Sequence, residues 1–360
     1  MATFSTLYTL DLAAGTTAAV GTIGVGIPVR DVSAFIAPLA QPAFTGRLFY
    51  GIAGGSLISF VSDNPSNIRS AVNITGLGAG QVLAGSDFRP FNGLLYALGY
   101  DATNSLDQLY TLNLTTGGLS TVGGLNSLPL GPASGIGVDF NPVPDRFRVV
   151  GSNGSNFRLN PNTGALVTTA DGATGRALSA TAYTNNDNNT TTGTTQYGYD
   201  QATNELVMFS NPNAGTNATV GASGITVNTA NGVEFDIFAD LTNPAAPANS
   251  AFVAAAPGTT TADILYDVNL GTGAFTSLGR IGNGSNVGGL AAFLTPGPVT
   301  LAGPTWTGAV NTDYGTAGNW SSNTVPTATD NVNIPDTAND PVVTGTQAAN
   351  AVALGSRVRP

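Results

Sequence analysis

Short runs that alternate apolar and polar residues, each followed by a tight turn, recur along this chain. The clearest copies of one phrase begin at Leu7, Leu109 and Leu265, and a weaker copy begins at Phe157. Alternation with a period of two predicts a half-buried strand, and the Asn, Asp or Gly residues that follow predict a hairpin turn. Repetition of one hairpin predicts a repeat architecture built from a single structural unit.

A second repeated element lies between these hairpins. It is a strand rich in Gly, Ala and Ser that ends in an aromatic residue. The aromatic residues are Phe35, Phe88, Phe140, Tyr183, Phe238 and Phe293. An apolar strand and a hairpin follow most of them, so a unit of about 50 residues contains about four strands, which is the size of a propeller blade. Small residues suit the strand nearest a crowded central axis.

Six such units predict an all-β chain with a six-bladed β-propeller over residues 1–294. The sixth unit has its first strand at 288–293 but no hairpin after it, while an unmatched hairpin stands at residues 5–23. We therefore expect the N-terminal strands to complete the last blade and close the ring, which leaves no open seam. The alternative is an open β-sandwich with internal similarity.

The pattern changes after the sixth unit. A linker rich in Pro and Gly at 295–304 precedes a small β-rich extension at 305–360, which shares no register with the blades. A segment of about 55 residues buries too little surface for a generous core. We expect it to dock on the propeller or on another subunit through Trp306, Trp320, Val325 and Ile334. Alternatively, the two tryptophans form the core of the extension itself.

Composition restricts the chemistry that the chain can perform. It has 360 residues, a net charge of −10, and neither His, Cys nor Lys. It therefore lacks the usual neutral acid–base group, a thiol nucleophile and a Schiff-base lysine. Glu205 and Glu234 are the only glutamates, and they leave a carboxylate-dependent glycoside hydrolase as a third functional hypothesis. The sequence predicts that the protein is not an enzyme.

Charge and hydropathy exclude other classes of partner. An acidic chain with scattered Arg residues lacks the basic patch that nucleic acid requires. No apolar run reaches the roughly 20 residues of a membrane helix, so no membrane insertion is expected. The first residues carry no signal peptide. A surface rich in Thr, Asn and Gly nevertheless favours a secreted bacterial protein that is extracellular or displayed on the cell surface.

Two sets of phrases resemble known families. Asp-Phe-Arg-Pro at 87–90, Asp-Phe-Asn-Pro at 139–142 and Asp-Arg-Phe-Arg-Val-Val at 145–150 resemble a bacterial propeller-like family of unassigned function, and the resemblance extends over residues 1–293. It implies a propeller and brings no catalytic residues. The fourth unit departs from the pattern at Tyr183.

The extension carries a second resemblance. Thr-Trp-Thr-Gly at 305–308, Asn-Trp-Ser at 319–321, Val-Pro at 325–326 and Asp-x-Val-x-Ile-Pro at 330–335 resemble a short module of large bacterial surface proteins. In those proteins the module often leads into a β-helical or adhesin-like stalk. The resemblance implies structural work at the cell surface.

Asp87, Asp139 and Asp236 occupy matching places in three units. If they face one channel, they form an acidic ring that can bind a cation such as Ca²⁺ through oxygen ligands. The alternative is that each carboxylate accepts backbone N–H bonds at a corner or pairs with an arginine of the same motifs. No other cofactor is expected.

These observations favour an extracellular structural protein that self-assembles into a filament or lattice. We expect a homo-oligomer formed through the C-terminal extension, by addition of a strand to an exposed edge. The first alternative is an adhesin whose propeller binds a carbohydrate or another ligand, with a surface glycan as partner. The hydrolase remains the third.

Overall fold

The computed structural model describes most of the 360-residue chain. The ranges outside the described residues are 1–4, 12–15, 24–44, 168–169, 188–191, 242, 244–246, 295–302, 335–338, 344–348, 350 and 355–360. The chain divides into two compact units, Met1–Ala43 and Phe44–Pro360. Among the described residues, no helix is long and apolar enough to cross a membrane.

The described residues form an all-β fold with three single-turn 3-10 helices at Ala133–Gly135, Pro212–Ala214 and Ala317–Asn319. In chain order the strands are β1 (Ser5–Asp11), β2 (Thr16–Ile23), β3 (Leu48–Ala53), β4 (Ser56–Val61), β5 (Ser70–Asn73), β6 (Val82–Phe88), β7 (Leu95–Asp101), β8 (Leu106–Leu112), β9 (Leu119–Ser127), β10 (Ile136–Asn141), β11 (Arg146–Gly151), β12 (Asn156–Leu159), β13 (Leu178–Tyr183), β14 (Gln196–Asp200), β15 (Glu205–Asn211), β16 (Thr216–Ala222), β17 (Val233–Asp240), β18 (Ala248–Ala255), β19 (Ile264–Val268), β20 (Phe275–Arg280), β21 (Leu290–Ala292), β22 (Asn331–Ile334) and β23 (Ala351–Leu354).

Five antiparallel sheets form the blades of a β-propeller arrangement. Their strand orders are β21-β3-β4-β5, β6-β7-β8-β9, β10-β11-β12, β13-β14-β15-β16 and β17-β18-β19-β20, which we call blades 1 to 5. The first strand of each order is the inner strand. Strand β6 contacts β21 and β10, and β17 contacts β13 and β21, so the inner strands follow one another in a cycle of five.

The predicted count of six blades is wrong, because two repeated phrases were assigned to separate units. The phrase at 288–293 was predicted to pair with the hairpin at 5–23. Its strand β21 instead pairs with β3, with Leu290 opposite Gly51. It is thus the inner strand of blade 1, the place predicted for the phrase ending at Phe35, which lies outside the described residues. In the first compact unit, β1 and β2 form an antiparallel pair.

Close packing of the inner strands accounts for their small residues. A Cβ atom on Gly137 would lie 2.5 Å from the Cα atom of Ala180 in the next blade. A Cβ atom on Gly85 would lie 2.6 Å from a methyl group of Val138. Only glycine permits such an approach between two backbones. The prediction that Gly- and Ala-rich strands lie innermost is confirmed at these positions.

The C-terminal extension has a small aromatic core. Trp306, Tyr314, Trp320 and Val332 are buried together, and the two indole rings meet edge to face at 5.2 Å. The indole N–H of Trp306 donates to the Asn339 carbonyl at 2.7 Å. Both tryptophans therefore lie in the core of the extension, as the alternative interpretation proposed.

The two aliphatic residues predicted at the same interface also border this core. Val325 and Ile334 are partly buried and pack against the aromatic cluster. The docking role proposed for these four residues stays a prediction. For Trp306 and Trp320, it would require side chains that are now buried to become accessible.

Strand direction in the extension differs from that in the blades. Strands β22 and β23 pair in parallel. Thr305 forms a parallel bridge with Asn333, and Asp313 forms one with Val342. Parallel neighbours need a crossover connection rather than a hairpin. The extension combines these parallel pairings with an antiparallel bridge between Trp306 and Trp320.

Candidate functional site

Three aspartates from different blades converge where the inner strands meet. Asp87 lies on β6 of blade 2, Asp139 on β10 of blade 3 and Asp236 on β17 of blade 5. One carboxylate oxygen from each lies within 4.8 Å of those of the other two, and all three side chains are buried. The structure thus brings together the three residues that the sequence placed at matching positions.

Local register positions these side chains. Asp87 is paired with Tyr96 and Asp139 with Arg148, each on the second strand of its own blade. The carboxylate of Asp87 reaches across to the next inner strand, where its Oδ2 atom accepts a 2.8 Å hydrogen bond from the backbone N–H of Phe140. The alternative function predicted for these residues, acceptance of backbone N–H bonds, is therefore also present.

Asp139 differs from Asp87 in its hydrogen bonding. It is 1% exposed, and neither of its carboxylate oxygens accepts a hydrogen bond of normal geometry from a described residue. The backbone N–H of Tyr183 on the next inner strand is only a weak donor to it. The motif arginine opposite it, Arg148, directs its guanidinium elsewhere. A buried carboxylate with so little hydrogen bonding is energetically costly, because little replaces the water that it has lost.

Burial and mutual repulsion make full ionisation of the cluster unfavourable. Desolvation, followed by the charges of Asp87 and Asp236, raises the pKa of Asp139 well above its usual range. Desolvation and then Asp236 likewise raise the pKa of Asp87. Desolvation raises the pKa of Asp236 to about 6, although the backbone N–H of Ala292 opposes the shift. The cluster therefore needs a proton or a cation to be stable at neutral pH.

The other two inner strands carry alanine at the matching positions. Ala182 on β13 pairs with Tyr197, and Ala291 on β21 pairs with Tyr50, in the way that Asp87 pairs with Tyr96. The ring of five strands thus supplies three carboxylates and two methyl groups. In the cyclic order of the inner strands, Asp87 and Asp139 lie on neighbouring strands, and Asp236 is separated from each of them by a strand that carries alanine.

Arg89, the arginine of the first family motif, connects blades instead of neutralising the three aspartates. It forms an ion pair with Asp145 of blade 3 and donates to the side-chain oxygen of Asn162 at 2.8 Å. Asp145 belongs to another family motif. The motif residues thus form an inter-blade connection, which sequence reasoning missed because the two partners lie far apart in the chain.

Arg148 makes the corresponding connection between blades 3 and 4. Its side chain is fully buried and donates to the Tyr183 hydroxyl at 3.0 Å and to the Asn213 side chain at 2.8 Å. Its charge is balanced by Asp171. The position of Tyr183, which departs from the family pattern, is thereby tied to the preceding blade.

The two glutamates of the hydrolase hypothesis have different surroundings. Glu205 on β15 interacts with Arg176 at 3.3 Å. Glu234 on β17 lies near Asp263, and desolvation followed by the charge of Asp263 raises the pKa of Glu234. Within the described part of the chain the contacts of the two glutamates share no residue, so the structure gives no support to a catalytic pair formed by them.

Asp107 and Asp263 form a further set of perturbed carboxyl groups. Each stands two residues before the first leucine of a repeated hairpin phrase. Desolvation raises the pKa of Asp107 to about 6 and that of Asp263 to about 7. Sequence reasoning missed them, although their shared place in the repeat was a visible signal. Asp263 accepts a 2.7 Å bond from the backbone N–H of Val287.

A family comparison covers most of the propeller. The model of a family described as a domain of unknown function (DUF4394) matches residues 56–291. The chain belongs to this family. The matched residues include all three aspartates of the cluster, and the expectation of a family without an assigned function is confirmed. The resemblance of residues 305–345 to a surface-protein module stays a prediction.

Several solved structures are similar to the chain at low identity. A chain of a nidogen/laminin complex is 12% identical with a TM-score of 0.42, covering 69% of this chain and 98% of that one. A Bacteroides uniformis protein with the provisional name 6-phosphogluconolactonase is 14% identical with a TM-score of 0.31, covering 78% and 79%. A Lactobacillus plantarum protein is 16% identical with a TM-score of 0.31, covering 81% of each. None of the curated proteins compared with the chain matches it.

Proposed function

We propose that this protein is a non-catalytic structural protein of the cell exterior that self-associates through residues 305–354. The propeller serves as a rigid body, and the extension makes the contact with a second copy. The observation that carries this proposal is the combination of parallel strands and exposed valines within the extension. The absence of Cys, His and Lys from the sequence supports a non-catalytic role, because the usual acid–base and nucleophilic groups are missing.

The parallel strands supply a means of association. Within the described residues, β23 pairs only with β22. The outer edge of β22 is bonded to the segment around Thr305, so among the described residues the outer edge of β23 is the one that leaves backbone N–H and C=O groups for another strand. Strand addition to an exposed edge is a common mode of protein recognition. The extension can therefore receive a strand from a neighbouring copy.

The exposed valines supply apolar surface to the same contact. Val310, Val342 and Val343 are 63%, 52% and 55% exposed. The backbone N–H of Val342 donates to the Thr312 carbonyl, so Val342 and Val310 lie on neighbouring segments. One exposed valine needs no explanation, but several within a short module favour an interaction surface.

Charge substitutions on this surface test the proposal. We expect full-length protein to form oligomers whose size rises with concentration in sedimentation velocity and in negative-stain images. Val310→Asp and Val343→Asp should shift the protein to monomer without unfolding it, because both side chains are exposed. Val82→Asp is the matched control, since Val82 is 51% exposed on the propeller. Wild-type protein that stays monomeric up to its solubility limit would overturn the proposal.

A further inference from the structure

We propose that Asp87, Asp139 and Asp236 bind one Ca²⁺ ion between the inner strands of the propeller. The ion would connect blades 2, 3 and 5, which are separate in sequence and meet only in the folded ring. This binding site is independent of the self-association proposed for the extension.

The spacing of the ligand atoms suits a single Ca²⁺ ion. The three oxygens lie within 4.8 Å of one another. Ca²⁺ binds oxygen at 2.3–2.6 Å, so two ligands of one ion are separated by up to about 5 Å. Mg²⁺ demands a near-ideal octahedron at 2.0–2.1 Å and usually keeps several waters, so a buried set of three carboxylates suits it less well. A set of three carboxylates also favours a hard cation over zinc or copper.

The hydrogen bonding of Asp139 is the second observation that points to a ligand. Its side chain is buried and contributes an oxygen to the cluster, yet neither oxygen accepts a hydrogen bond of normal geometry from a described residue, and the backbone N–H of Tyr183 is only a weak donor to it. Asp87 and Asp236 each accept a backbone N–H from the next inner strand. Asp139 is therefore the member whose electrostatic and bonding needs a cation would meet.

Among the residues that the structure describes, no basic side chain takes the place of that cation. Arg148 is paired in register with Asp139, but its guanidinium bonds to Tyr183, Asn156, Asn213 and Asp171. Its ion-pair partner is thus Asp171, which also pairs with Arg158. The cluster keeps up to three negative charges, which is a high charge count for a calcium site.

The two alanines of the ring leave the remaining coordination positions to other oxygens. Ca²⁺ takes six to eight oxygen ligands, and backbone carbonyls and water commonly complete a set of carboxylates. Ala182 and Ala291 occupy the matching places on β13 and β21 and carry no competing side-chain group. The inner strands therefore provide the anionic part of the site, and smaller neutral ligands complete it.

Calorimetric titration of EDTA-treated, desalted full-length protein tests this assignment. We expect one Ca²⁺ per chain by calorimetry and by elemental analysis after dialysis, with Mg²⁺ binding at least tenfold more weakly. Thermal unfolding should shift upward on addition of CaCl₂, because a ligand that binds only the folded state stabilises it. Failure of the wild-type protein to bind Ca²⁺ would overturn the proposal.

Isosteric variants assign the binding to the three aspartates. Asp139→Asn and Asp236→Asn should each lose at least tenfold in Ca²⁺ affinity, while Asp267→Asn, at an exposed position on β19, should bind as the wild type does. Asp139→Asn should also unfold no earlier than the wild type in EDTA, because it removes a buried carboxyl group that is poorly hydrogen-bonded. Unchanged Ca²⁺ binding by folded Asp139→Asn and Asp236→Asn would overturn the assignment.

Discussion

The Oδ2 atom of Asp236 accepts a 2.5 Å hydrogen bond from the backbone N–H of Ala292. Asp236 belongs to blade 5, whereas Ala292 lies on the inner strand of blade 1 and pairs there with Phe49. One short segment, β21, is therefore bonded to both the first and the last blade. The contact between these two blades therefore depends on β21, whose partners in β3 lie more than two hundred positions earlier in the chain.

Replacement of Gly137 by alanine should destabilise the propeller. The new Cβ atom would lie 2.5 Å from the Ala180 Cα atom and 2.8 Å from the Thr181 backbone nitrogen, so two inner strands must move apart. Overpacking of this kind costs about 3 kcal/mol in the free energy of unfolding. Urea denaturation followed by far-UV circular dichroism measures it.

Gly124→Ala is the control for this substitution. A Cβ atom at Gly124 has no neighbour within 4 Å. We expect its free energy of unfolding to stay within about 0.5 kcal/mol of the wild type. Equal effects of the two substitutions would contradict the interpretation that close approach of the inner strands requires glycine.

Arg148→Met should strongly destabilise the junction of blades 3 and 4. The substitution keeps much of the side-chain volume but removes the donors to Tyr183 and Asn213 and leaves Asp171 with one fewer cationic partner. Breaking a buried ion pair from one side costs about 3–5 kcal/mol. Thermal and urea unfolding should both show the loss.

Arg146→Met tests whether that loss is specific to burial. Arg146 donates to the backbone carbonyls of Pro144 and Asp145 at a more exposed place two residues earlier. We expect a change within about 1 kcal/mol, because exposed charge contacts contribute little. A large effect of Arg146→Met would indicate that the whole strand β11 is sensitive to any substitution.

The sequence predicted the residues of the site better than it predicted the number of blades. The three aspartates share a position in the repeat, and a repeat puts equivalent positions at equivalent places around an axis, so their convergence was one of the two alternatives that the pattern allowed. The count failed because the phrases ending at Phe35 and Phe293 look alike locally. Only the pairing of β21 with β3 identifies which phrase belongs to blade 1.

The sequence alone could not predict which side chains from different units contact one another. Arg89 and Asp145 both lie in motifs, but nothing local indicates that they pair across 56 positions. Similarly, the weak hydrogen bonding of Asp139 depends on where the next inner strand places its backbone. Repeats predict which residues are equivalent, whereas the approach of neighbouring blades decides which residues meet.

The C-terminal extension should unfold before the propeller. Both tryptophans of the chain lie in its small core, so tryptophan fluorescence reports on the extension, while far-UV circular dichroism reports chiefly on the five blades. A core of a few residues supplies little stability compared with the cores between blades. In urea we expect the fluorescence transition at lower denaturant than the dichroism transition. Coincident transitions would show that the two parts unfold as one cooperative unit.

Metal-free protein should become more stable as the pH falls from 8 to 5. Desolvation raises the folded-state pKa of Asp263 to about 7, and that of Asp236 and Asp107 to about 6, above the ordinary value of 3.8. The folded state then binds more protons than the unfolded state between these values, so the free energy of unfolding decreases as the pH rises through the window. Above pH about 7, the contribution of Asp263 to the free energy of unfolding no longer changes with pH.

Calorimetric unfolding in EDTA at several pH values checks this sign, and Asp263→Asn identifies one of its sources. The groups around Asp263 are the Glu234 carboxyl, the Tyr266 phenol, the Asn286 amide and the backbone N–H of Val287. The asparagine variant cannot ionise, so its stability should vary less with pH than that of the wild type between pH 5 and 7. Asp267→Asn is at an exposed position on β19, four residues after Asp263. This variant should retain the wild-type dependence of stability on pH. A wild-type stability that rises with pH across this window would contradict the prediction, because it would mean that the buried carboxyl groups are stabilised in their ionised form.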